Sequence, residues 1–152
     1  MTPSWVGAIL SSRAVDIAAR VLLTFPFWGS GLAKLLDFQG GVAEMRMFGL
    51  EPAPAFNIAV LAVQLLGSAL IISGRAAWLG AGMLGIFTAL TIPIVHRFWA
   101  LEGEHGIVAF HTATEHVGMI GALVLVSILS ARSAAKRADP REIDMPTVVM
   151  AR

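Results

Sequence analysis

The chain has 152 residues, of which 57% are hydrophobic and only 14% charged, with a net charge of +1. A soluble domain carries about 25% charged residues, so the composition excludes an ordinary water-facing surface, and the near-neutral balance gives no electrostatic ground for nucleic-acid binding. With no cysteine anywhere, disulfides, thiolate metal sites and thiol redox relays are excluded as well.

The apolar residues are gathered in long runs between short charged clusters, the pattern of an integral membrane protein whose first partner is the lipid bilayer. At the N-terminus, "MTPSWVGAILSSR" has no basic region before its short apolar stretch and no clear cleavage site, so it does not read as a signal peptide. Trp5, Val6, Ile9 and Leu10 instead fit a short helix lying in the membrane interface, with a frayed tail as the alternative. Crossing the hydrocarbon takes about 20 apolar residues, and four stretches qualify: about 17–36, 55–74, 76–95 and 108–130. In the first, Pro26 removes an amide donor and frees the carbonyl of Leu22, which predicts a bend. The second and third are separated only by the region of Gly74 and Arg75 and form a tight antiparallel hairpin. Ala77, Ala81, Gly85 and Ala89 on the third span, and Thr114, Gly118 and Ala122 on the fourth, predict faces where helices touch. Trp78 and Trp99, at opposite span ends, read as interface anchors.

Arg13, Arg20, Arg75, Arg132, Lys136, Arg137 and Arg141 fall at the N-terminus, the hairpin and the C-terminal tail. By the positive-inside rule both termini are then cytoplasmic, and the longer connections around 37–54 and 96–107 face outward. The expected fold is all-α: an antiparallel four-helix transmembrane bundle over residues 1–132, followed by a disordered cytoplasmic tail from 133 to 152.

Ionisable side chains inside a span cost about 2.5–3.5 kcal/mol each and need a reason. His111 and Glu115 are four residues apart and share a helical face, while His116 is rotated by about 100° from Glu115. Glu115 is expected roughly 10 Å deep from the outer surface. His96 ends the third span at that surface, Lys34 ends the first, and Gln64 lies halfway along the second, so these polar groups are expected to converge on the outer half of the bundle. Lys34 has two options, reaching the head groups or pairing with Glu115; Arg20 is expected to reach the head groups. A histidine beside a carboxylate can exchange a proton near neutral pH and hydrogen-bond a quinone oxygen. That makes His111, Glu115 and His116 the candidate proton-handling groups, with Lys34, Gln64 and His96 as candidate cofactor-binding groups. Metal is the weaker reading, because the HExxH spacing is absent and His111 and His116 do not share a face. Haem between His96 and His111 is weaker still. The same cluster also reads as polar contacts that tie helices together.

Several stretches resemble one family. "RVLLTFPFWGSGLAKLLD", "FGLEPAP", "QLLGSALIISG" and "HRFW", in this order, are similar to successive segments of the DoxX family. Two positions depart from it: Gln64 stands where the family commonly has glutamate, and Glu115-His116 where it commonly has Lys-Asn. The resemblance implies a small multi-pass protein of the bacterial cytoplasmic membrane, associated with oxidoreductase systems that deliver electrons to quinone. Because no flavin, haem or iron–sulfur motif is evident, a partner subunit is expected to supply the electrons, and a second copy of the chain is a further candidate partner. The alternative function is a non-catalytic anchor that assembles other proteins.

Overall fold

In a computed structural model the chain is helical throughout its ordered elements; the structure describes residues 2–138. Six α-helices follow in order: α1 (Ser4–Leu10), α2 (Arg13–Leu36), α3 (Phe38–Met47), α4 (Ala53–Ser73), α5 (Ala77–Ile94) and α6 (Gly103–Ala138), with a 3-10 turn at Phe98–Ala100 before the last. Among the described residues, three segments are long and apolar enough to cross a membrane: Ala53–Ser73, Ala77–Ala100 and Gly103–Ala135. The all-α class holds; among the described residues α3 is added to the four expected spans and the short N-terminal helix. α2, at about 1.5 Å per residue, is long enough to span; Arg13, Asp16, Arg20 and Lys34 at its ends lower its hydropathy. The residues 133–138, expected in a disordered tail, continue α6, and the rest of that tail lies outside the described residues.

The packing order is α2 against α4, α4 against α5 and α5 against α6, with α3 lying on α4 and α2. Phe27, Ile71, Ala81, Leu84 and Leu123, one or two from each long helix, form the common core. The α4–α5 crossing is built on glycine. A methyl group on Gly80 would stand 2.5 Å from the carbonyl oxygen of Gly67, so the two backbones touch where neither residue has a side chain. The hairpin that makes this crossing turns at Gly74, whose φ of +70° ends α4 in the left-handed conformation that glycine adopts without a steric penalty. The guanidinium of Arg20 bonds Asp16 at 2.9 Å and donates to the carbonyl of Ile71 at 3.0 Å. It shares the Ile71 carbonyl with the amide of Gly74 and ties α2 to the hairpin.

The helix seams differ from expectation in phase. Ala77 and Ala81 are buried, but the buried stripe of α5 then runs through Leu84 and Thr88, leaving Gly85 half-buried and Ala89 exposed. On α6 it runs through Ala109, Ala113 and Leu123 with His116 half-buried between them, while Thr114 and Gly118 face outward. A strict four-residue repeat drifts by about 40° per step around a helix of 3.6 residues per turn, so buried stripes alternate steps of three and four. α2 continues unbroken through Pro26, and the Trp28 indole donates at 3.1 Å to the carbonyl of Val21, beside the one Pro26 frees. Trp5, Trp78 and Trp99 all project from the packed core.

The loop expected around 37–54 contains α3. Its N-cap is Asp37, whose carboxylate accepts from the amide of Gly40 at 2.9 Å. Val42, Met45 and Ala53 form a second buried cluster beneath it. Asp37→Ala should cost about 1 kcal/mol, the usual worth of a cap, and amide hydrogen exchange should rise across 38–47 while the centre of α4 stays protected.

Candidate functional site

A cavity of about 400 Å³ lies between α2, α3, α4, α5 and α6. Its wall is mostly apolar, with Phe27, Met45, Phe56, Val60, Phe87 and Met119 among the lining residues. Each helix then contributes one or two polar groups: Ser30 and Lys34 from α2, Glu44 from α3, Gln64 from α4, Thr91 and the following His96 from α5, and His116 from α6. Four of the six predicted site residues therefore meet, namely Lys34, Gln64, His96 and His116.

The polar groups fall into two sets. On one side, Lys34 Nζ pairs with Glu44 Oε2 at 2.7 Å and donates to Ser30 Oγ at 3.4 Å, and Gln64 Nε2 donates to the same hydroxyl at 3.4 Å. On the other, the rings of His96 and His116 meet edge to face with centroids 4.8 Å apart. Two buried atoms in these sets, Gln64 Oε1 and His116 Nδ1, have no hydrogen-bond partner within the protein. A buried polar atom left unpaired costs about 1–3 kcal/mol, so each atom would gain from a hydrogen-bond partner that the fold does not supply.

Lys34 takes neither expected option; its partner is Glu44, not Glu115 or a head group. Sequence reasoning does not reach Glu44, because α3 is invisible to a search for 20-residue apolar runs. The available signal was the Asp37 cap followed by apolar Val42 and Met45 three residues apart. His111 and Glu115 do not line the cavity and are exposed on another face of α6. His116 meets His96 just beyond the C-terminal end of α5, so Glu115 stands level with that end of the helix. Among the described residues, no group of three or more His, Cys, Asp or Glu side chains is arranged to hold a metal ion.

Long apolar helices around a mostly apolar cavity with a few convergent polar groups define a multi-pass membrane protein with an internal small-molecule-sized site. The DoxX family model matches residues 15–97, more than half of the chain, and the protein belongs to that family. No curated protein and no solved structure matches it. The matched stretch contains Lys34, Glu44, Gln64 and His96; His111, Glu115 and His116 lie beyond it, on α6.

Proposed function

We propose that this protein is a membrane subunit of an oxidoreductase system and binds the head group of a quinone in the cavity between α2, α4, α5 and α6. In this reading α2 is the fourth span, the four long helices form an antiparallel bundle in the bacterial cytoplasmic membrane with both termini cytoplasmic, and the cavity opens in the outer half. The observation that carries it is the pair of buried, unpartnered atoms, Gln64 Oε1 and His116 Nδ1, on side chains lining an apolar cavity of about 400 Å³. Small-molecule sites of this kind span about 300–1,000 Å³.

Quinone supplies two-electron, two-proton chemistry, and a partner subunit supplies the electrons. The residues of this chain would bind and move protons. His116 hydrogen-bonds a ligand oxygen through Nδ1, Gln64 Oε1 accepts from a hydroxyl of the reduced form, and His96, whose ring adjoins that of His116, passes protons between the cavity and the outer surface. The Lys34–Glu44 pair joins α2 to α3 along the cavity wall and keeps both charges compensated beside an apolar ligand. His111 and Glu115, on the other face, take no part in ligand contact.

The test is retention. Protein purified from native membranes in mild detergent is expected to carry quinone, quantified by extraction and mass spectrometry. The double variant Gln64→Leu with His116→Leu should retain at least about tenfold less, the worth of about one buried hydrogen bond. Quinone-free wild-type protein would sink the proposal, and loss of retention in His111→Ala with Glu115→Gln would move the site to the other face of α6.

The anchor reading has one observation of its own. The apolar window of α6 is only 6% buried within the chain, against 33% for α4, which leaves most of that helix for lipid or a partner protein.

A further inference from the structure

We propose that a groove between α2 and α6, at the hairpin end of the bundle, binds the head group of an anionic phospholipid. The groove is distinct from the cavity read as the quinone site, and its occupant does not depend on that reading.

The packing order runs α2, α4, α5, α6, so α2 and α6 are the two ends of the row. Phe27 and Leu123 meet in the common core between them. On the hairpin side of that core lies a groove of about 910 Å³, more than twice the volume of the cavity on the other side. Ala19, Leu129 and Ser133 line it and are exposed, so it opens sideways, where lipid surrounds the long helices. Its lining changes along its length. Leu23 and Val126, nearer the core, are apolar; about one turn further towards the hairpin end the walls carry Arg20 on α2 and Ser130 on α6. That is the profile of an amphiphile, with acyl chains against the first pair and a polar group against the second. Trp78, at the start of α5, also lines the groove and is exposed, and indole rings favour the level of the lipid head groups.

Arg20 selects an anion. A guanidinium has five N–H donors. One, on Nε, goes to Asp16 and one, on Nη1, to the carbonyl of Ile71; the other three have no partner among the described residues. The two bonds hold the group over the hairpin turn, where a methyl group on Gly74 would stand 3.3 Å from Nη1. The fork is therefore fixed in place, and a phosphate can take two of its remaining donors at once. The surrounding charge has the same sign. At this end of the bundle the described side chains include Arg13, Arg20, Arg75 and Arg132 against Asp16 alone, a balance that attracts a head group with net negative charge. A lipid bound here bridges the two ends of the helix row and stabilises the folded chain by mass action.

The experiment is native mass spectrometry on the full chain, stripped of lipid in mild detergent and titrated with phosphatidylglycerol or phosphatidylcholine of the same chain length. Both carry a phosphate, but only the first is anionic. Phosphatidylglycerol is expected to bind about tenfold more tightly, the effect of one or two basic residues on an anionic lipid. Arg20→Gln should weaken it by at least about tenfold, the worth of a charge-assisted hydrogen bond. Because Arg20 also ties α2 to the hairpin, a second pair of variants tests the groove without touching that tie. Ala19→Trp places an indole in the groove and should weaken phosphatidylglycerol to a similar extent, while Ala18→Trp, exposed on the same helix but outside the groove, should not. Equal affinity for the two lipids, equal effects of Ala18→Trp and Ala19→Trp, or undiminished binding by a folded Arg20→Gln protein would overturn the proposal. Displacement of the lipid by millimolar glycerol phosphate would make the free phosphate the ligand, and a lipid-free dimer would make the groove an interface between copies; either result also overturns it.

Discussion

Gly80→Ala is expected to destabilise the protein by about 1–3 kcal/mol, the usual cost of overpacking a close-packed contact. The added methyl group would stand 2.5 Å from the carbonyl oxygen of Gly67 and 2.9 Å from the Leu70 side chain. The first of these is backbone and cannot rotate away, so α4 and α5 must move apart. Separation then loosens Leu84, which packs over Gly67 and is completely buried in the common core. Between helices in lipid no hydrophobic force restores the contact, since the acyl chains are as apolar as leucine; the loss is one of dispersion contacts. Gly82→Ala is the control. Two residues further along the same helix, its new methyl group meets nothing within 4 Å, so the greater helix propensity of alanine should leave stability unchanged or raise it by up to about 1 kcal/mol. Denaturation in mixed micelles, followed by circular dichroism, measures both. Equal stability of the two variants would mean that the crossing is looser than its geometry indicates.

The same crossing explains what a sequence can and cannot disclose here. Apolar runs of spanning length locate α4 and α5 to within a residue or two, because a helix in lipid must satisfy all its backbone groups internally and long enough runs have no other stable form. Phase is a different matter. On α6 the small residues Thr114, Gly118 and Ala122 and the set Ala109, Ala113, His116 and Leu123 are both plausible inner faces by spacing alone. Only the neighbouring α5 selects the second. That selection separates His116 from Glu115 and His111, although all three lie within six consecutive residues. The convergence of Lys34, Gln64 and His96 was legible from topology, since Lys34 lies near the end of α2, Gln64 midway along α4 and His96 just after α5. Glu44 was not, because α3 is too short and too polar to register as a span, and the lysine was therefore assigned to other partners. The α2 charges had the opposite effect: they sit at the ends of a helix of spanning length and lower a hydropathy average that its apolar centre would pass.

Thr91→Trp is expected to abolish ligand retention while leaving the fold intact. Thr91 is half-buried, lies near the end of α5 and lines the cavity between the Phe87 side and the histidine pair. Its hydroxyl bonds only the carbonyl of Thr88, a group of its own helix, so its loss removes no contact between helices. An indole at this position grows into space that no protein atom occupies and takes up much of a cavity of about 400 Å³. Filling an existing cavity avoids the overpacking cost that Gly80→Ala incurs, because the added atoms gain contacts without displacing packed neighbours. The variant differs in kind from Gln64→Leu and His116→Leu, which remove hydrogen bonds but keep the space. Quinone measured in the purified Thr91→Trp protein should fall to background, with the unfolding midpoint within a few degrees of the wild type. Ile86→Trp places the same ring on the exposed face of α5 and should leave retention unchanged. If Ile86→Trp releases the ligand and Thr91→Trp does not, the ligand occupies the outer face of α5 and the cavity is a packing void. If Thr91→Trp alone releases it, the space between the helices is the site, and the polar groups around it are the ones that select what enters.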